Sequence, residues 1–232
     1  LKSGIGLLTC YTAKKGEIIV QTSVPEAMTI VDNEMDAISS FPPLDSYSVV
    51  GIGPGIGTLN ITMNMLENFF KNVNVPVVID ADAINIIASN KEILNSIPEN
   101  SVLTPHPKEF KRLVGEYVDS SKRIELQKEL SKKYKVNTLV KGAYSTMTNS
   151  SGELFINSTG NPGMATGGSG DVLTGIITGL IGRGYYPFDA MIIGVFIHGF
   201  SGDISKGELG EESLMASDLI DNLPRSFKKI IN

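Results

Sequence analysis

The chain has 232 residues, 41% of them hydrophobic, enough to bury the core of one large α/β domain, which excludes a disordered or fibrous chain. Twenty lysines and arginines against 25 aspartates and glutamates leave a net charge of −5, so no bulk positive field exists to hold a nucleic-acid backbone or an anionic membrane surface. One cysteine, Cys10, and two histidines, His106 and His198, supply neither an internal disulfide nor a Cys/His zinc set, a usage that fits a reducing compartment, most simply the cytoplasm.

Residues 1–9, LKSGIGLLT, read as a helix end, a glycine break and a buried strand. The first residue is leucine and no signal-peptide pattern opens the chain, so we expect it to begin inside a longer protein. EIIVQ at 17–21 is a short strand candidate, and the β-branched run at 46–52 is the pattern of a buried parallel strand entering a glycine loop. Helical spacing follows over 58–71, then an apolar strand at 75–79 with Asp80 and Asp82 at its exit and a short helix over 83–88. A strand at 102–103 stops at TPHP, whose prolines preset the first turn of the next helix. Residues 119–134 predict an amphipathic helix with Ile124, Leu126, Leu130 and Tyr134 among charges. Three short strands at 138–141, 145–148 and 153–157 come next, the last two joined by a hairpin-like turn. Helices are predicted at 171–181, 188–204 and 213–222. The apolar runs at 172–181 and 190–200 are interrupted by Gly or His and fall short of the roughly 20 residues a bilayer span needs. Strand and helix alternate along most of the length with no linker or repeat, which predicts one domain built on a single mainly parallel sheet with helices on both faces.

Glycine, at 24 residues, exceeds the usual share of roughly 7%, and it is clustered. Five glycines lie within Gly160-Asn-Pro-Gly-Met-Ala-Thr-Gly-Gly-Ser-Gly-Asp171, directly before an apolar helix. Backbone N–H groups of such a turn point outward with partial positive charge and hold a phosphate or a developing anion without a lysine. Asp171 at that helix start is either a cap or a general base; the glycines together with Asn161, Thr166 and Ser169 exceed what a cap requires and favour a phosphate site. The segment lacks the lysine and hydroxyl of a P-loop, and Gly51-Ile-Gly-Pro-Gly-Ile-Gly57 fails the dinucleotide fingerprint at Ile56. That second run is either a tight connection or, at the carboxyl edge of a sheet, a substrate contact. Asp80 and Asp82 suit a solvated turn or a magnesium-phosphate site reached through water. His106 reads as a turn residue or a substrate contact, Lys141 as a snorkelling side chain or a nucleotide contact, and His198, Met191 and Met215 as packing.

These segments together resemble one family, the ribokinase-like ADP- or ATP-dependent NAD(P)H-hydrate dehydratases. The resemblance is carried by SGIGLLT (3–9), VPEAM (24–28), GIGPGIG (51–57), VVIDADAIN (77–85), LTPHPKEFKRL (103–113), LVKGAYS (139–145) and GNPGMATGGSGDVLTGIITGL (160–180), and so covers essentially the whole chain. It implies a three-layer α/β/α fold with a mainly parallel central sheet. It also implies repair of the S epimer of hydrated NADH or NADPH, by phosphorylation of the ring hydroxyl and loss of phosphate, with ADP (in most bacterial members) or ATP as donor and Mg²⁺ on the nucleotide phosphates.

By motif, Gly55, His106 and Asp171 would touch the hydrated dinucleotide, with Asp171 taking the proton of the attacking hydroxyl. The adenine nucleotide would lie along Lys141, Gly142, Ala143, Tyr144 and Ser145 and at Gly170, with Asn161 nearby. Amides of Gly168, Ser169 and Gly170 would face the transferring phosphoryl group, and Asp80 and Asp82 would neighbour the metal through water. Family members normally have a further strand, glycine-rich loop and helix before the segment matching LKSGIGLL, and some carry an epimerase domain, so the chain is expected to be N-terminally incomplete. Relatives tend to be homo-oligomers, commonly tetramers. Two other functions fit the glycine turn: a kinase of a small alcohol such as a vitamin precursor, with the same Asp171, or a non-catalytic nucleotide-binding module.

Overall fold

The computed structural model describes residues 1–231. Its centre is a six-stranded sheet in the order β3 (Val50–Ile52), β4 (Val77–Ile79), β5 (Val102–Leu103), β6 (Asn137–Val140), β7 (Thr146–Thr148) and β8 (Leu154–Ile156). The pairs from β3 to β6 are parallel, and β7 and β8 add antiparallel hairpin strands at one edge. A separate parallel pair, β1 (Thr9–Thr12) and β2 (Met28–Val31), makes a second small sheet. The mainly parallel sheet is as expected, but there are two sheets where one was predicted: no ladder joins β1 to β3 among the described residues.

β4 and β5 are apolar throughout because both of their faces are covered, while β6 opens with the buried polar residues Asn137 and Thr138. Alternation of side chains splits them cleanly. Val77, Ile79, Leu103 and Val140 enter a core with α2 (Asn60–Asn72), α3 (Ala81–Ser89), α4 (Pro107–Val114) and α5 (Ser120–Tyr134). Val78, Val102, Leu139 and Met147 enter the opposite core with α6 (Ser169–Gly182), α7 (Pro187–Leu209) and α8 (Ala216–Ile231). Three layers result, and each parallel strand releases its chain at the same sheet edge.

Residues 17–21 are not a strand. They form α1 (Glu17–Ser23), the crossover that a parallel β1–β2 pair requires, and the apolar Ile18 and Ile19 that suggested a strand are exposed. The strand β2 carries no polar alternation and was missed. The helix expected at 213–222 starts at Ala216 and runs on to Ile231 with Pro224 inside it, since the buried Leu219 and Leu223 before the proline and the half-buried Phe227 after it keep one apolar face against the core. No helix is long and apolar enough to cross a membrane among the described residues.

Candidate active site

Four chain segments leave the sheet at its carboxyl edge: the glycine turn after β3, Asp80 after β4, Thr104–His106 after β5 and Lys141 after β6. Asp80 is 1% exposed, and its carboxylate is filled from within the protein. Oδ1 accepts from the Ala81 N–H at 2.9 Å and from Lys141 Nζ at 2.7 Å, while Oδ2 accepts from Thr174 Oγ1 at 2.7 Å. The Asp80 end of this ion pair is thus buried and hydrogen-bonded through both oxygens, while Lys141 is partly exposed. Asp82 points to the glycine turn and accepts the Gly57 N–H at 2.9 Å.

Thr174 belongs to the first turns of α6, so its bond to Asp80 brings that helix N-terminus onto the sheet edge. The N-cap of α6 is Gly168, in the left-handed region at φ +84°, and no side chain caps the helix. Asp171 is therefore not a cap: the residue is partly covered, and its carboxylate makes no hydrogen bond or ion pair among the described residues. The backbone N–H groups of Gly170 and Asp171 likewise have no backbone partner among those residues, which leaves them to an anion. Burial first, and then the neighbouring Asp80 carboxylate, push the Asp171 carboxyl above its ordinary value; Lys141 opposes this and Asp82 adds to it. A raised carboxyl next to open N–H groups is suited to accept a proton while an adjacent group gathers negative charge.

The other predicted positions fall into two sets. Gly55 is exposed with φ +67° and open space where a side chain would stand, beside a small recess of about 150 Å³ lined by Tyr11, Thr12, Asp36, Ile38 and Pro54. Lys141, Gly142, Ala143 and Tyr144 line a cleft of about 530 Å³ shared with Lys111, Tyr117 and Arg123, and Ser145 closes the turn by accepting the Gly142 N–H. The remaining positions are occupied by internal contacts. Asn161 accepts from the Gly163 N–H and donates to Asp203, so its amide serves the turn. His106 is half-exposed and caps α4: its Nδ1 accepts the N–H groups of Lys108 and Glu109 at 3.1 and 3.2 Å, which places the ring proton on Nε2. The Glu109 carboxylate completes the box by accepting the His106 N–H at 2.8 Å.

Asp80 does not fit as a direct magnesium ligand, because three donors already occupy its carboxylate. No group of three or more His, Cys, Asp or Glu side chains is arranged to hold a metal among the described residues. Asp82 keeps one oxygen free.

Three contributors were not singled out in the sequence. Thr174 was missed although it stands three residues after Asp171, the spacing that puts two side chains on one helix face. His198, assigned to packing, is buried but also bonds through Nε2 to the Ser169 carbonyl at 2.9 Å, tying α7 to the α6 N-terminus. Burial holds it neutral, lowering its pKa to about 4. Asp32 was missed too, and it gathers bonds from Tyr11, Ser39, Ser40 and the Glu34 N–H to shape the loop behind the smaller recess.

Comparison with known proteins gives the family of the chain. Residues 1–225 match the family described as NAD(P)H-hydrate dehydratase. The chain is 37% identical to a bifunctional NAD(P)H-hydrate repair enzyme of Moorella thermoacetica, over 99% of this chain and 45% of that protein. It is 32% identical to the ADP-dependent (S)-NAD(P)H-hydrate dehydratase of Neisseria meningitidis, over 76% of this chain and 61% of that one. The chain therefore spans about half the length of the first of these relatives. Among solved structures, the ADP/ATP-dependent NAD(P)H-hydrate dehydratase of Bacillus subtilis, co-crystallised with ATP and Mg²⁺ and soaked with CoA, superposes with a TM-score of 0.84 and 28% identity, covering 98% of this chain and 83% of that one. Matched over nearly its whole length, the chain belongs to the NAD(P)H-hydrate dehydratase family.

Proposed function

We propose that the chain dehydrates the S epimer of hydrated NADH or NADPH at the expense of ADP or ATP, with ADP the first choice. The observation that carries this reading is the α6 N-terminus: a carboxylate at Asp171, raised in pKa and unpaired among the described residues, beside N–H groups of Gly170 and Asp171 that have no backbone partner there, set on the Asp80–Lys141 pair. The Neisseria relative's ADP dependence and the Bacillus relative's ATP and Mg²⁺ support the donor class. Asp171 takes the proton of the ring hydroxyl as its oxygen bonds to the donor's terminal phosphorus and the bridging P–O bond breaks. The N–H groups of Gly170 and Asp171 hold charge on the transferring phosphoryl group. The ring nitrogen then expels phosphate, a far better leaving group than hydroxide, and loss of a proton from the neighbouring carbon restores the ring double bond.

Gly55 and the half-exposed edge of His106 would contact the dinucleotide, and the Lys141–Ser145 turn the adenine nucleotide, whose phosphates would carry Mg²⁺ with Asp82 as a water-mediated neighbour. We read the chain as one domain working in the cytoplasm. Self-association, to a tetramer by the family resemblance, is consistent with the exposed Ile18, Ile19 and Met28.

The test mixes the full-length protein, Mg²⁺ and either nucleotide with hydrated NADH and follows the reduced-nicotinamide absorbance. A nucleotide-dependent rise with stoichiometric orthophosphate is expected. A persistent phosphoester without that rise would instead establish a small-alcohol kinase chemistry, and nucleotide binding without turnover a binding module. Asp171→Asn should lower turnover by about a hundredfold or more while leaving nucleotide affinity nearly unchanged, the scale of general-base loss.

A further inference from the structure

Three segments that the reaction must bring together are remote in sequence, and each is fastened to Asp80. The glycine turn packs onto its main chain so closely that a Cβ at Gly53 would lie 1.8 Å from the Asp80 carbonyl oxygen. Lys141 at the head of the nucleotide turn reaches Oδ1 at 2.7 Å, and Thr174 of α6 reaches Oδ2 at 2.7 Å. Gly170 lies directly over the pair: a Cβ there would stand 3.3 Å from Lys141 Nζ and 3.8 Å from Asp80 Oδ2. Ala81, next in the chain after Asp80, adopts φ +48°, a left-handed value unfavourable for a residue with a side chain.

Thr174 follows Asp171 by three residues on a rigid helix, so its bond to Asp80 fixes both the rotation and the axial position of α6 at the turn that carries the base. We propose that Thr174 and Asp80 are positioning residues, which set the Asp171 carboxylate at its working distance from a phosphoryl donor held by Lys141. A misplacement of one ångström costs on the order of a hundredfold in a reaction that depends on alignment. The inference rests on the reading of Asp171 as the base.

Thr174→Val keeps the shape and removes the hydroxyl. Assayed in the full chain, it should lower kcat by about tenfold or more with both KM values within about twofold and an unchanged far-ultraviolet spectrum. Thr174→Ser should restore kcat, and Thr174→Cys, a weaker donor of similar size, should fall between. A split of this kind is not produced by loss of folded protein, which lowers apparent kcat without following donor strength. Wild-type kcat in Thr174→Val, or a deficit that Thr174→Ser does not repair, overturns the proposal. Asp171→Asn measured alongside separates the two layers: if it is inactive while Thr174→Val is normal, only the positioning role fails, and if it turns over normally the base assignment itself fails.

Discussion

Asp171 carries a pH prediction of its own. Burial and the Asp80 and Asp82 carboxylates outweigh Lys141 and hold its carboxyl above the ordinary value of 3.8. As the proposed base Asp171 works only when ionised, so the proposed activity should be present above that raised pKa and lost as pH falls through it. The profile of kcat/KM against pH should show an acid limb above 3.8, since this ratio reports the free enzyme. A limb at or below 3.8 would mean that another group governs the reaction. The same position shows where a sequence stops being informative. The spacing of glycines predicts an anion site at the start of α6, but it leaves Asp171 open between cap and base, because the choice depends on whether the carboxylate turns back to its own helix. Here it does not, as Gly168 is the cap.

At the scale of elements, the loop after β2 is ordered by a single buried carboxylate. Asp32 is 1% exposed and accepts from the N–H groups of Glu34, Ser39 and Ser40, both serine hydroxyls and Tyr11. Burial alone would raise its pKa, but the donors outweigh it and hold the carboxyl well below the ordinary range. Asp32→Asn replaces an acceptor with an amide nitrogen facing those donors and should cost about 1–3 kcal/mol in urea unfolding, with faster proteolysis within residues 33–40. Unchanged stability and cleavage would show that the loop is held by its own turns.

The central strands β4 and β5 were legible in the sequence because burial on both faces leaves continuous apolar runs, and β5 was placed to the residue by the prolines that end it, whereas β2 of the smaller parallel pair was not. The helix at 119–134 was legible as well, but its buried contacts were not. Gln127 is wholly buried and its amide donates to the Thr138 and Thr146 carbonyls, while Ser131 bonds Thr138 and Thr148. Periodicity counts apolar residues, so a helix that faces its sheet with polar ones shows only part of its inner face. The α1 crossover failed for a related reason: exposed Ile18 and Ile19 carry a strand's composition, and only the parallel pairing of β1 with β2 demands a helix between them.

Across the whole molecule, acid should act first on the C-terminal helical layer, where α6, α7 and α8 cover one face of the sheet. His198 of α7 is buried there against Ser169, and burial lowers its pKa from 6.5 to about 4. The unfolded chain therefore binds a proton that the folded one refuses between these values. Stability is full above about pH 6.5 and falls as pH drops toward 4, by about 3 kcal/mol if the shift is fully expressed. Asp32 extends the loss below about 3.8, since its carboxyl is ionised in the fold and protonated in the unfolded chain. Overall charge works in the opposite direction: from −5 at neutral pH, added protons first relieve repulsion across the surface. The buried histidine wins because its interaction is local and poorly screened, whereas surface charges are screened within about 10 Å at moderate salt. Urea midpoints measured at pH 7.5, 6 and 5 should thus decline for the native sequence and flatten in His198→Gln, which keeps a donor for the Ser169 carbonyl without a titrating ring. An equal decline in both proteins would place the acid sensitivity elsewhere, and a rise in the native protein would show that surface repulsion dominates.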